Sequence, residues 1–148
     1  EALAIEFANL RGDAIMVVFG APARLTPEQS ARAAALAGLG MRRRLAALNI
    51  AFAADGLPNL RIGIGIHTGE AIAGNIGAPQ RLDYTLIGDS VNMAARIESA
   101  TKEVGLDLLV SSTTRALLGD RARVGEPCIV HLKGKAQPTQ VFPLHSLE

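Results

Sequence analysis

The sequence predicts an α/β (α+β) sandwich in which helices flank a mostly antiparallel sheet. Three observations predict it: compact apolar runs separated by turn residues at hairpin spacing, two long segments with apolar residues at helical spacing, and the interleaving of the two kinds along the chain.

The elements follow in order. Residues 2–8 suit a strand, Arg11-Gly12-Asp13 a turn, and AIMVVF a second strand bounded by Gly20 and Pro22, which together read as a hairpin. Thr26-Pro27-Glu28 is a helix start, a capping hydroxyl followed by proline at the first helical position. The alanine- and leucine-rich helix runs to about Asn49, with Gly38 and Gly40 weakening its middle. In RIGIGI, Ile62, Ile64 and Ile66 alternate with Gly63 and Gly65, so one face of the strand is branched aliphatic. The other is bare backbone that another element approaches closely. Thr68-Gly69-Glu70 is expected to turn the chain into the strand AIAGNI, and residues 78–81 to loop into LDYTLI. Gly88 ends that strand. Asp89 or Ser90 then caps a helix continued at helical spacing by Val91, Ala94, Ala95 and Glu98. A short strand at Leu108–Val110, a Ser/Thr-started helix to Leu118, and strands near Cys128–Leu132 and Gln140–Leu144 complete the pattern.

A chain of 148 residues is one domain with a real core. Its apolar share is 49%, yet the aromatics are only Phe7, Phe19, Phe52, Tyr84 and Phe142. The core is therefore aliphatic, and a stacking platform for nucleic acid is not expected. A net charge of +1 adds no pull towards polyanions, and Arg42-Arg43-Arg44, fanned around a helix, reads as a solvated face. Cys128, the single cysteine, excludes an internal disulfide and fits a small buried filler in a reducing, cytoplasmic setting. No apolar run approaches the roughly 20 residues of a membrane helix, and no signal-peptide pattern opens the chain, so no membrane contact is expected from this segment.

Several familiar chemistries are excluded. Gly63-x-Gly65 lacks the third glycine and the following helix of a dinucleotide fingerprint, and no P-loop or serine nucleophile elbow occurs. His67, His131 and His145 lack ligand spacing for zinc. Asp13 is different. It sits in a turn before an apolar strand, where an anchored backbone can hold a carboxylate out to a hard cation, although a turn favours aspartate in any case. Asn92 and Arg96 are four apart, so they project together from one helix face close to the strand that precedes it.

Taken together, GDAIMVVFGAP (residues 12–22), RIGIGIHTGE (61–70), LDYTLIGDSVNMAARIE (82–98) and LKGK (132–135) resemble, in order and spacing, the class III nucleotidyl cyclase catalytic domain, its bacterial adenylate cyclase branch in particular. The likeness covers most of the chain and implies a ferredoxin-like sandwich. It also implies conversion of ATP to 3′,5′-cyclic AMP and pyrophosphate, with two divalent ions, Mg²⁺ or Mn²⁺, assisting attack of the ribose 3′-hydroxyl on the α-phosphate. By that resemblance Asp13 matches the second metal-binding aspartate and Asn92 the residue that orients the ribose. Arg96 matches the transition-state arginine, Lys133 the lysine on the terminal phosphates, and Thr85 a base-selecting position. It further implies a head-to-tail homodimer in which the metal aspartates of one subunit face the nucleotide-binding residues of the other.

Two positions depart from the family pattern. Asn9 stands where the family's base-selecting lysine is usual, and its amide keeps a donor for adenine. The first metal motif, an Asp followed by Gly-Phe after a strand, is absent, since none of Asp55, Asp83, Asp89, Asp107 or Asp120 has that setting. The expectation is a single catalytic domain over residues 1–148 whose first metal segment lies upstream. The alternatives are a guanylate cyclase and a catalytically silent module that dimerises and regulates a partner.

Overall fold

In the computed structural model, which describes residues 2–10, 12–76 and 83–148, β1 (Ala2–Leu10) and β2 (Asp13–Phe19) form the expected hairpin, with Leu10 opposite Asp13. Then follow α1 (Pro27–Ala54), β3 (Ile62–Glu70), β4 (Ile72–Ile76), β5 (Asp83–Ile87), α2 (Asp89–Val104), β6 (Leu108–Ser111) and α3 (Ser112–Leu118). The chain ends with β7 (Ala122–Val124), β8 (Cys128–Val130) and β9 (Thr139–Leu147). Seven strands make one sheet in the order β2-β1-β3-β6-β9-β7, with β8 also paired to β9. All its pairings are antiparallel except β3–β6, and β4–β5 form a separate antiparallel ladder. The α+β sandwich is as the sequence predicts.

Period-two alternation decides which helix packs where. Ala4 and Ala8 of β1, Ile64 and Ile66 of β3, and Leu108 and Val110 of β6 meet Ala31, Ala34, Ala35 and Leu39 of α1. Leu3 and Ile5 point the other way, to Ala94 of α2, beside a patch made by Ile97, Ala100, Leu109 and Val141. The glycine face of β3 lies under α2. An ideal Cβ on Gly65 would stand 2.8 Å from the Ala94 carbonyl oxygen and closer still to the backbone nitrogen of Glu98, so α2 rests on bare strand backbone.

Several local expectations are corrected. α1 continues unbroken through Gly38 and Gly40 and runs past Asn49 to Ala54; its start has Thr26 and Gln29 in a reciprocal capping box. Gly38 has a packing reason, because an ideal Cβ there would lie 2.7 Å from Oε2 of Glu6. Thr68-Gly69-Glu70 continues β3 instead of turning, held by pairing with Ala2–Ala4 of β1. The N-cap of α2 is Gly88, at φ 146°, and neither Asp89 nor Ser90 caps it. Arg42 is no solvated bystander: its guanidinium donates to the carbonyl oxygens of Leu144 at 2.9 Å and His145 at 2.6 Å, tying α1 to β9. Cys128 is half-buried.

Candidate active site

Helix α2 buries Ser90, Ala94, Ile97, Glu98 and Thr101 against the sheet. That stripe leaves Asn92 exposed and Arg96 half-buried on another face, one turn apart. The partner of Arg96 comes from far along the chain. Between β8 and β9 the backbone turns at Leu132–Lys135, closed by the Lys135 N–H donating to the Leu132 carbonyl at 3.0 Å. Gly134 takes φ 83° in that turn, and an ideal Cβ on it would stand 3.1 Å from Nη2 of Arg96. The guanidinium therefore lies against bare backbone next to the exposed Lys133, and neither cation has an ion-pair partner among the described residues. An arginine with no ion-pair partner among the described residues, set against a turn that also carries a lysine, suits a phosphate chain.

A polar chain supports this corner. His67 is the one large side chain on the glycine face of β3, and its Nδ1 lies 2.9 Å from Oγ of Ser111. Ser111 Oγ lies 3.1 Å from Thr114 Oγ1, which in turn lies 2.9 Å from Thr68 Oγ1. Burial, and secondarily the nearby Lys135 charge, push the imidazole down to about 4, so His67 is neutral at pH 7. Position 67 falls on the 63, 65, 69 face, a signal in the sequence that something other than bare backbone stood there.

Asp13 lies at the other end of the molecule. It opens β2 as an exposed residue opposite Leu10, which pairs with Ile62 at the start of β3. Gly63 packs against Glu98 and Thr101, whereas Gly69 packs against Ser90, so α2 runs antiparallel to β3 with Asn92 near its far end. Six strand residues separate those levels, placing Asp13 roughly 20 Å from Asn92 along the sheet. A cleft of about 970 Å³ opens at the Asp13 end, lined by Asn9, Gly12, Arg61, Thr101 and Lys102 among others, and it includes neither Arg96 nor Lys133.

Among the described residues no group of three or more His, Cys, Asp or Glu side chains could hold a metal ion. A lone exposed carboxylate still fits a hard cation that takes its other oxygens from water and phosphate, which is the usual habit of Mg²⁺. Asp13 meets that requirement as one donor and closes no site by itself. Asn9 is engaged within the chain, its Oδ1 accepting from the Gly12 N–H at 2.9 Å. Thr85 lies in β5 opposite Gly74, and its side chain lies outside the described residues. The structure thus sets Arg96 against the turn that carries Lys133, with Asn92 one turn away on α2, and holds Asp13 apart.

With α2 laid on a glycine strand and Arg96 set against the glycine turn after Lys133, the fold and site agree with one class of protein. Residues 5–146 match the family described as the adenylate and guanylate cyclase catalytic domain, and the chain belongs to that family. Among curated relatives, Adenylate cyclase 1 of Rhizobium meliloti (strain 1021) is 35% identical over 134 residues, 90% of this chain and 20% of that protein. An uncharacterized protein of Mycobacterium tuberculosis (strain ATCC 25618 / H37Rv) is 40% identical over 144 residues, 95% of this chain and 24% of its own length. The chain thus spans about a fifth to a quarter of these relatives. Among solved structures, the adenylyl cyclase CyaB from P. aeruginosa superposes with a TM-score of 0.87 at 26% identity, covering 99% of this chain and 95% of that one. The guanylyl cyclase Cya2 does so with a TM-score of 0.87 at 28% identity, covering 100% and 93%. The likeness extends to cyclases of both substrate types.

Proposed function

We propose that this nucleotide cyclase domain is an adenylate cyclase, converting ATP to 3′,5′-cyclic AMP and pyrophosphate at a site shared between two subunits. The observation that carries the reading is the Arg96 guanidinium set against Gly134 beside Lys133, with Asn92 one turn away. Arg96 offers a forked, permanent cation to the charge that gathers on the α-phosphate. Asn92 orients the ribose so that its 3′-oxygen faces phosphorus, and Lys133 grips the terminal phosphates. The Thr85 hydroxyl accepts from the exocyclic amine of adenine. Divalent ions, Mg²⁺ or Mn²⁺, supply charge neutralisation of the triphosphate and favour ionisation of the attacking hydroxyl when bound. Asp13 is the residue of this chain that would hold one of them.

The roughly 20 Å between Asp13 and Asn92 supports a head-to-tail homodimer in which each subunit gives its aspartate to the other's nucleotide. Within one chain the two cannot meet on one triphosphate. No helix among the described residues is long and apolar enough to cross a membrane.

The test is to incubate the intact protein with Mn²⁺ and ATP or GTP and identify the cyclic product. Cyclic AMP from ATP is expected. Cyclic GMP in its place would establish the guanylate reading, which the likeness to Cya2 keeps in play. No cyclic product, with nucleotide bound, would establish a silent regulatory module. Arg96→Ala is expected to lower the rate several hundredfold or more, since loss of one transition-state donor costs about 3 to 4 kcal/mol. A wild-type rate in that variant would remove the assigned role.

A further inference from the structure

We propose that Gly134 is a positioning residue for Arg96: the bare face of the Leu132–Lys135 turn is a platform that aims the guanidinium without using its N–H donors. That the aim serves catalysis rests on the cyclase reading, whereas the platform rests on geometry.

The turn is fixed to the helix it serves. Leu132 is 5% exposed and packs in the same apolar patch as Ala100 and Ile97 of α2, and Ile97 directly follows Arg96. The Lys135 N–H, donating to the Leu132 carbonyl at 3.0 Å, closes the turn above that anchor. Gly134 is thereby held against Arg96. Nη2, Cζ and Nη1 of Arg96 lie 3.1, 3.5 and 3.8 Å from the point where a Cβ on Gly134 would stand, so the guanidinium is spread across the place a side chain would take.

No polar partner holds the guanidinium. Arg96 makes no hydrogen bond or ion pair with any of the described residues. An acid or a carbonyl would fix it more firmly, but at the expense of donors that an oxyanion needs. A carbon surface sets its direction by contact alone and leaves the N–H groups to the substrate.

The turn gives glycine a second explanation, and the two can be told apart. Gly134 takes φ 83° as the third residue of the turn, where asparagine is accepted as well as glycine. The backbone thus admits asparagine, whereas the platform admits no side chain. What an added Cβ meets is the far end of a flexible arginine, which gives way at little cost to the fold. The aim is lost instead. Since a misplacement of about 1 Å can cost about a hundredfold in rate, a shift of part of that is expected to cost about tenfold.

The test compares Gly134→Asn with Gly105→Asn in the intact protein. Gly105 ends the same helix at φ 71° with nothing within 4 Å of its Cβ position, so asparagine there makes the same demand on the backbone and touches nothing. Nuclear magnetic resonance relaxation of the Arg96 Nε–H is read in nucleotide-free protein carrying isotopically labelled arginine, the signal being assigned by its loss in Arg96→Lys. It is expected to report a rigid group in wild type and in Gly105→Asn, and a mobile one in Gly134→Asn. In the cyclase assay kcat is expected to fall about tenfold in Gly134→Asn and to hold in Gly105→Asn. Binding of Mn²⁺ with 3′-deoxy-ATP, which lacks the attacking hydroxyl, is expected to be unchanged in both. Adding Gly134→Asn to Arg96→Ala is expected to leave the residual rate as it was, because the group being aimed is gone. A misfolded variant would lose that residual rate too, so the cycle separates fold from aim. Wild-type kcat in Gly134→Asn, a further tenfold loss on top of Arg96→Ala, or a rigid Arg96 Nε–H in Gly134→Asn overturns the proposal. Wild-type protein that makes no cyclic product would sink the cyclase reading, while a mobile Nε–H in Gly134→Asn alone would still uphold the platform.

Discussion

Glu6, buried, and His67, half-buried, sit on opposite faces of neighbouring strands, and they bend stability against pH in opposite senses. Glu6 is fully buried with both carboxylate oxygens unpartnered among the described residues, and burial raises it from 4.5 to about 8. Between those values the folded state holds a proton that the unfolded chain has released, so stability falls as pH rises. His67, lowered from 6.5 to about 4, does the reverse: the unfolded chain takes up a proton that the folded state refuses, and stability falls as pH drops below 6.5. The two slopes oppose each other from about 4.5 to 6.5, leaving Glu6 to act alone from 6.5 to 8. Denaturant unfolding is expected to show a loss of about 2 kcal/mol over that upper interval. Glu6→Gln is expected to abolish the loss and expose a rise in stability from pH 4 to 6.5; an unchanged profile would mean that Glu6 does not titrate in the core. His67 broke the glycine face of its strand, but Glu6 was not legible in the sequence as an outlier. A glutamate between Ile5 and Phe7 reads as the polar face of a strand, and only the second layer of helix, α1, makes that face interior.

At the level of elements, glycine carries the docking of α2. Alternation of Ile62, Ile64 and Ile66 with Gly63 and Gly65 announced a bare strand face, and the structure lays α2 on it. Gly65→Ala is expected to cost about 1 to 3 kcal/mol, because the added methyl meets helix backbone instead of a side chain that can rotate away. Thermal unfolding several degrees lower would bear this out, and an unchanged midpoint would mean that α2 sits further from β3 than described. Local propensity misled where tertiary partners intervene. Gly38 is a helix weakener by propensity, yet its missing side chain makes room for Glu6, and α1 passes through unbroken. Thr68-Gly69-Glu70 has turn residues, but Leu3 and Ala4 supply a ladder partner that keeps it extended. The three-residue β7 carries too few side chains for a period to show.

Over the whole molecule, the ordered motifs made the cyclase family legible, and the spacing of Asn92 and Arg96 placed both on one helix face. What the spacing could not show is the partner of Arg96, because Gly134 lies 38 positions further on and meets it only after β6, α3 and two further strands have brought the chain back. Nor could it show that Asp13 ends at the opposite end of α2. That separation is the physical root of the proposed shared site, in which each chain contributes two half-sites and a second chain completes each of them. Mixing Asp13→Ala with Arg96→Ala in the intact protein tests it most directly, with heterodimers verified by differential tags. Each variant alone is expected to be nearly inert, and an equal mixture to recover about a quarter of the wild-type rate, since half the dimers hold one whole site of two. No recovery in verified heterodimers would contradict the shared site.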